Sequence, residues 1–112
     1  MRLRWLILLL LSSAAFAQHH NDLSWVAGVG GGTLSGFNVK KATISGGPYT
    51  TLQAVTGTVL TYSDSSNLVE GQHSFYVITA TGPGGESAPS NQLDLTTPFS
   101  LPVKPTLSGA AF

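Results

Sequence analysis

His73-Ser74-Phe75-Tyr76-Val77-Ile78-Thr79-Ala80-Thr81, closed by Gly82-Pro83-Gly84-Gly85, is the stretch that decides the fold. Tyr76, Ile78 and Ala80 fall on one side of a two-residue repeat, and Phe75, Val77 and Thr79 on the other. β-branched and aromatic residues fill the run, and both sides are apolar at its start. That is the pattern of a central strand rather than a half-solvated one. The proline and the glycines that follow end it as a turn.

Shorter strands flank it on the N-terminal side. Leu23 and Trp25 share one face of a short strand, with Asp22, Ser24 and Val26 on the other. Gly28-Val29-Gly30-Gly31-Gly32 reads as a flexible turn. Phe37 and Val39 alternate with Asn38 and Lys40 in a second strand, and Ser45-Gly46-Gly47-Pro48 is a tight connection. Residues 49–55 form a third strand at an edge, and residues 58–63 a fourth, with Leu60 and Tyr62 inward. Residues 63–71 cross between sheets. Residues 92–96 form the last strand, with Leu93 and Leu95 inward. No helical period interrupts this series. Turn signals about every 8–12 residues argue for an all-β sandwich. Pro98, Pro102 and Pro105 then mark an extended tail that cannot continue a ladder.

The first 17 residues read as a secretory signal peptide. Arg2 and Arg4 form a positive start, residues 5–11 are apolar, and Ser12, Ser13, Ala14 and Ala15 taper the run. Ala15-Phe16-Ala17 is a small-residue cleavage site, leaving Gln18 first. The apolar stretch of 13 residues, 5–17, falls short of the roughly 20 that a spanning helix needs. The expectation is a secreted chain, extracellular or periplasmic, that does not span the membrane once the signal is cleaved. Cysteine is absent, so neither a disulfide nor a cysteine-linked lipid is available.

Removing 17 of 112 residues leaves 95, enough for one domain with a core of its own. Lys40, Lys41 and Lys104 then stand against Asp22, Asp64, Glu70, Glu86 and Asp94, a net charge of −2. No basic stripe exists to track phosphates, so nucleic acid is not an expected partner.

The pattern resembles a fibronectin type III domain. Leu23-Ser24-Trp25, Gly36-Phe37-Asn38-Val39, Thr43-Ile44-Ser45-Gly46-Gly47-Pro48-Tyr49, Tyr62-Ser63-Asp64, Leu68-Val69-Glu70-Gly71 and Gly85-Glu86-Ser87-Ala88-Pro89-Ser90 carry the resemblance in their order and spacing. It covers residues 23–97, between a short polar segment at 18–22 and the tail at 98–112. It implies an immunoglobulin-like Greek-key β-sandwich of seven strands. Trp25 would anchor the core from strand B, Phe37 and Val39 would face it from strand C, and Tyr76, Ile78 and Ala80 from strand F. It also implies a non-enzymatic module for protein binding, adhesion or spacing.

Two departures from the family pattern matter. The position three after Gly71, usually a tyrosine that ties strand F to the crossing loop, is Ser74 here. A weaker corner is expected, at a cost of about 1 kcal/mol, with Phe75 and Tyr76 close enough to compensate in part. In addition, only residues 18–22 separate the cleavage site from Leu23, so strand A is short or missing and strand B is an open edge. Residues 104–112 resemble the opening of a further repeat. They read as a linker stub or part of a longer array, or as a strand donated to the next molecule. The resemblance places the two termini at opposite poles, so an intramolecular return would run the wrong way for strand A. Exchange would then be head-to-tail and open-ended.

Other chemistry finds little support. His19, His20 and Asp22 could join a free N-terminal amine in a square-planar set for copper or nickel, but Gln18 can cyclise and remove that amine. His73 reads as a solvated or capping side chain. Asp64 and Glu70 resemble a carboxylate pair for sugar hydrolysis only loosely, and Asp64 reads as a turn residue. No G-x-S-x-G exists for a triad, and the Gly28 turn lacks the lysine and helix of a phosphate loop. Tyr49 and Phe75 are candidate sugar-stacking aromatics outside the core. No catalytic, cofactor-binding or metal-binding residues are therefore expected. The expected partner is a protein or an extracellular polysaccharide, with self-association through the strand B edge as a further possibility.

Overall fold

The computed structural model describes residues 19–112, and the signal-peptide reading of residues 1–17 lies outside them. The described chain is all β, in the order β1 (Asn21–Ser24), β2 (Gly36–Ala42), β3 (Thr50–Thr56), β4 (Thr61–Asp64), β5 (His73–Gly82), β6 (Gly85–Glu86) and β7 (Leu93–Thr96). Two sheets face each other. One has the order β3-β2-β5-β6 with β7 also on β5, and the other is the pair β1-β4. Every pairing is antiparallel. No described helix is long and apolar enough to cross a membrane.

β5 is the central strand, as its two apolar sides require. On the inner side Tyr76 is 2 % exposed, and on the outer side Val77 and Thr79 are also buried. Leu23, Val39 and Tyr76 form the core, with Trp25, Leu52, Tyr62, Ile78 and Leu95 packed on it. Phe37 is buried and meets Trp25 edge-on, ring centroids 5.7 Å apart. Burying side chains of this size is worth about 1.5–3 kcal/mol each. β3 is an edge strand. Its register on β2 shifts between Val39 and Lys40, and this bulge leaves Leu52 unpaired but turned to the core.

Several boundaries differ from the sequence reading. β1 begins at Asn21, a polar residue that is buried with its side-chain amide donating a hydrogen bond to the Tyr76 hydroxyl oxygen. β4 is shorter than residues 58–63: Gly57 and Val59 sit in a turn closed by Val59 N–H donating to the Thr56 carbonyl. Leu60 consequently stays 39 % exposed instead of facing the core, although its carbonyl still accepts from Trp25 N–H. Leu93, expected inward, is 41 % exposed as the first residue of β7.

The last edge is broken where Pro89 has no N–H to give. Between β6 and β7, Ser87 and Ser90 substitute for ladder partners. Their hydroxyls accept from the Ala80 and Ile78 amides at 2.9 Å, and their own amides donate to the Ala80 and Ile78 carbonyls at 2.8 Å. The Gly85-Glu86-Ser87-Ala88-Pro89-Ser90 run thus keeps β5 satisfied across the gap.

Among the described residues β1 pairs only with β4, so no strand A lies beside it. The expected placement of the termini needs correction. His19 lies 3.7 Å from Glu70, and Ser100 also bonds Glu70, so the first described residue and the base of the tail share one pole. The reason is topological: a chain whose first described strand is β1 starts where β7 ends.

Candidate functional site

Two regions of the sandwich carry distinctive chemistry. At the pole where β1 starts, Asp64 is fully buried at the end of β4. One carboxylate oxygen accepts from Lys41 Nζ at 2.7 Å and from the Tyr76 hydroxyl at 2.5 Å. The other accepts from the Ser66 amide at 3.0 Å and the Ser66 hydroxyl at 2.5 Å. Asn21 Nδ2 donates to the Tyr76 oxygen at 2.9 Å. Burial alone would raise the Asp64 carboxyl, but Lys41, Ser66 and Tyr76 outweigh it and bring it down to about 2. Burial, then the hydrogen bond donated to Asp64, push the Tyr76 phenol up to about 12.

This cluster supplies the tie that Ser74 cannot. A shift of two residues along a strand keeps the side chain on the same face, so Tyr76 reaches across the sandwich from the inner side of β5. The predicted weakening of the corner is thereby offset. Asp64 does hold a turn, through Ser66, and also neutralises the inward-facing Lys41. Its partners differ from those of Glu70, which bonds His19 and Ser100 at the surface. The two acids therefore serve separate contacts.

At the opposite pole, the loop after β1 and the β5–β6 turn enclose a groove of about 610 Å³. Ile78 and Ala80 line it from β5, Trp25 from the residue just after β1, and Val26, Val29 and Leu34 from the loop. Val26 is 90 % and Val29 103 % exposed. The Trp25 indole N–H is buried without an acceptor among the described residues. The loop turns through Gly30 and Gly31, both at positive φ, which glycine adopts without steric cost. Glu86 is the single ionisable residue in the lining. Its carboxylate is already engaged by Lys40 at 2.7 Å, Thr79 at 2.5 Å and Asn38 at 3.2 Å, and Lys40 above all holds its pKa down at about 2.

The other residues singled out from the sequence are dispersed. His20 bonds Asp22 at 3.0 Å while His19 turns to Glu70, and the described residues contain no group of three or more metal-ligating side chains. His73 is solvated, bonded to Asp94 across the strand at 3.0 Å. Its ring stacks on Phe75 with centroids 6.0 Å apart. Tyr49 is half-buried, and its hydroxyl donates to Gln92. Neither aromatic is the free planar face expected of a sugar platform. The loop valines of the groove escaped sequence reading, since a glycine-rich turn shows no period that would place its side chains.

No protein-family model matches the sequence, and no curated protein does. Among solved structures, the chain is similar to a Fn3-like protein from Clostridium thermocellum. The two share 33% identity, over 73% of this chain and 80% of that one, with a TM-score of 0.59. The fold suggests a non-enzymatic module. With this identity and coverage, and with two facing antiparallel sheets, the chain belongs to the fibronectin type III-like family.

Proposed function

We propose that this chain is exported and, after loss of its leader, acts as a binding module that holds an extended protein segment in the groove beside Trp25. Such binding serves adhesion or spacing outside the cytoplasm. The observation that carries the reading is the apolar rim: Val26, Val29 and Leu34 are exposed together around a half-buried tryptophan. Exposed apolar patches of this kind mark interaction sites. The walls are largely main chain, from the glycine loop and β6, which suits a partner that offers backbone groups and small apolar side chains. The one carboxylate of the lining is committed to Lys40 and Thr79, so a charged ligand has no counterpart there.

Trp25 is the sole tryptophan once Trp5 leaves with the leader, so its fluorescence reports the groove. Random peptides selected by display on residues 18–112 are expected to shift that fluorescence and to lose binding to a Val29→Glu variant, whose side chain lies in solvent. Selected peptides that bind Val29→Glu equally well would contradict the reading. Soluble polysaccharide that retards the protein in native gels, with no peptide enriched, would replace it with a sugar-binding one.

A further inference from the structure

We propose that the open edge of β1 is completed by residues 106–112 of a second copy of this chain, so that copies join head to tail. The orientation of the free backbone groups follows from one bond. Trp25 N–H donates to the Leu60 carbonyl at 3.0 Å, and amides alternate in direction along a strand. Asn21 and Leu23 therefore address β4, while the N–H and C=O groups of Asp22 and Ser24 point to the edge that no described strand covers. An uncovered row of this kind is a template for another chain.

The tail has the properties of the missing partner. Thr97 is its last residue in the backbone ladder, exchanging bonds with Gly71 and Gln72. Phe99 rests against Gly71, where an added Cβ would stand 2.5 Å from the ring. Beyond it no strand forms, and Leu107 and Phe112 are 98 % and 119 % exposed. Pro98, Pro102 and Pro105 cannot give ladder bonds, but residues 106–112 contain neither proline nor charge. This run, Thr106-Leu107-Ser108-Gly109-Ala110-Ala111-Phe112, is about 23 Å long at ~3.3 Å per residue, ample for the four residues of β1. Leu107 and Ala111 fall on one side of it, able to cover Leu23 and Trp25.

Direction decides whose tail it is. The tail leaves from the pole where β1 begins, as the contacts of Glu70 with His19 and Ser100 show. Folded back on its own β1 it would run parallel to that strand, in a sheet whose other pairing is antiparallel. A copy stacked end to end delivers its tail at the far pole, running antiparallel to β1. Residues 101–105, extended at ~3.1 Å each, span about 16 Å between the two bodies. The contact is heterologous, so it does not close on itself.

The proposal does not rest on peptide binding in the groove beside Trp25. Light scattering of residues 18–112 over a range of concentrations is expected to show a rising series of multiples of the protomer mass. Leu107→Pro, in a fully exposed tail segment that leaves the donor's own sandwich untouched, is expected to hold the protein at one protomer. A peptide of residues 104–112 added to that variant should slow exchange of the Asp22 and Ser24 amides. A single protomer at every concentration would overturn the proposal. So would a mass series that Leu107→Pro leaves unchanged, or a peptide that protects neither amide.

Discussion

The Tyr76 hydroxyl donates to the Asp64 carboxylate at 2.5 Å while accepting from Asn21, so one phenol joins the end of β4, the start of β1 and the centre of β5. The small sheet has only two described strands, and such a pair is marginal without packing against a partner. Its attachment to the larger sheet rests on Leu23 and Trp25 in the core and on this polar tie at one end.

Tyr76→Phe should therefore destabilise the fold by about 1–3 kcal/mol, since it leaves Asn21 short of an acceptor and Asp64 short of a donor in a buried place. Urea denaturation of residues 18–112 measures it. A loss within experimental error would mean that the apolar contacts alone hold the sheets together.

Acid should unfold the protein through the same cluster. The Asp64 carboxyl sits at about 2 against an ordinary 3.8, so its contribution is complete above pH 4 and disappears as pH falls toward 2. The linkage amounts to about 2 kcal/mol. Tyr76 acts in the opposite direction: its phenol is raised to about 12, so its contribution is complete below pH 10 and is lost as pH climbs toward 12. Asp64→Asn should flatten the acid limb of a stability-versus-pH curve. A slope between pH 4 and 2 equal to that of the unmodified chain would contradict the assignment.

Gly36→Ala should cost about 1–3 kcal/mol by forced repacking, because its Cβ would stand 2.2 Å from the Val55 carbonyl oxygen, a backbone atom that β3 pairing holds in place. Thermal unfolding gives the comparison. An unchanged melting temperature would show that β3 moves aside freely.

Lys40→Ala should matter much less. Its bond to Glu86 is only 2.7 Å long, but both side chains are partly exposed on the outer face, where such pairs contribute about 0–1 kcal/mol. Denaturation in low and high salt separates the two cases. A large loss in low salt would make the outer face a second structural anchor.

Much of this fold was legible because its strands repeat with period two between glycine and proline breaks. Residues 73–81 announced the central strand, and Phe37 and Val39 its neighbour. Burial through polar bonds was harder to see. Asn21 and Asp64 look like loop residues in one dimension, and only the approach of Tyr76 from 55 and 12 positions away makes them interior. The two serines around Pro89 escaped for a similar reason: their hydroxyls accept from amides of a strand that pairs over the gap. The groove was invisible because it is made by loop shape.

The central claim is that β1 has one edge satisfied by β4 and one that is open among the described residues. Amide hydrogen exchange on dilute residues 18–112, resolved by residue, tests it most directly. The account predicts slow exchange at Leu23 and Trp25, which face β4, and fast exchange at Asp22 and Ser24, which face outward. Equal protection of all four amides in a single protomer would mean that some other part of the chain already covers the edge.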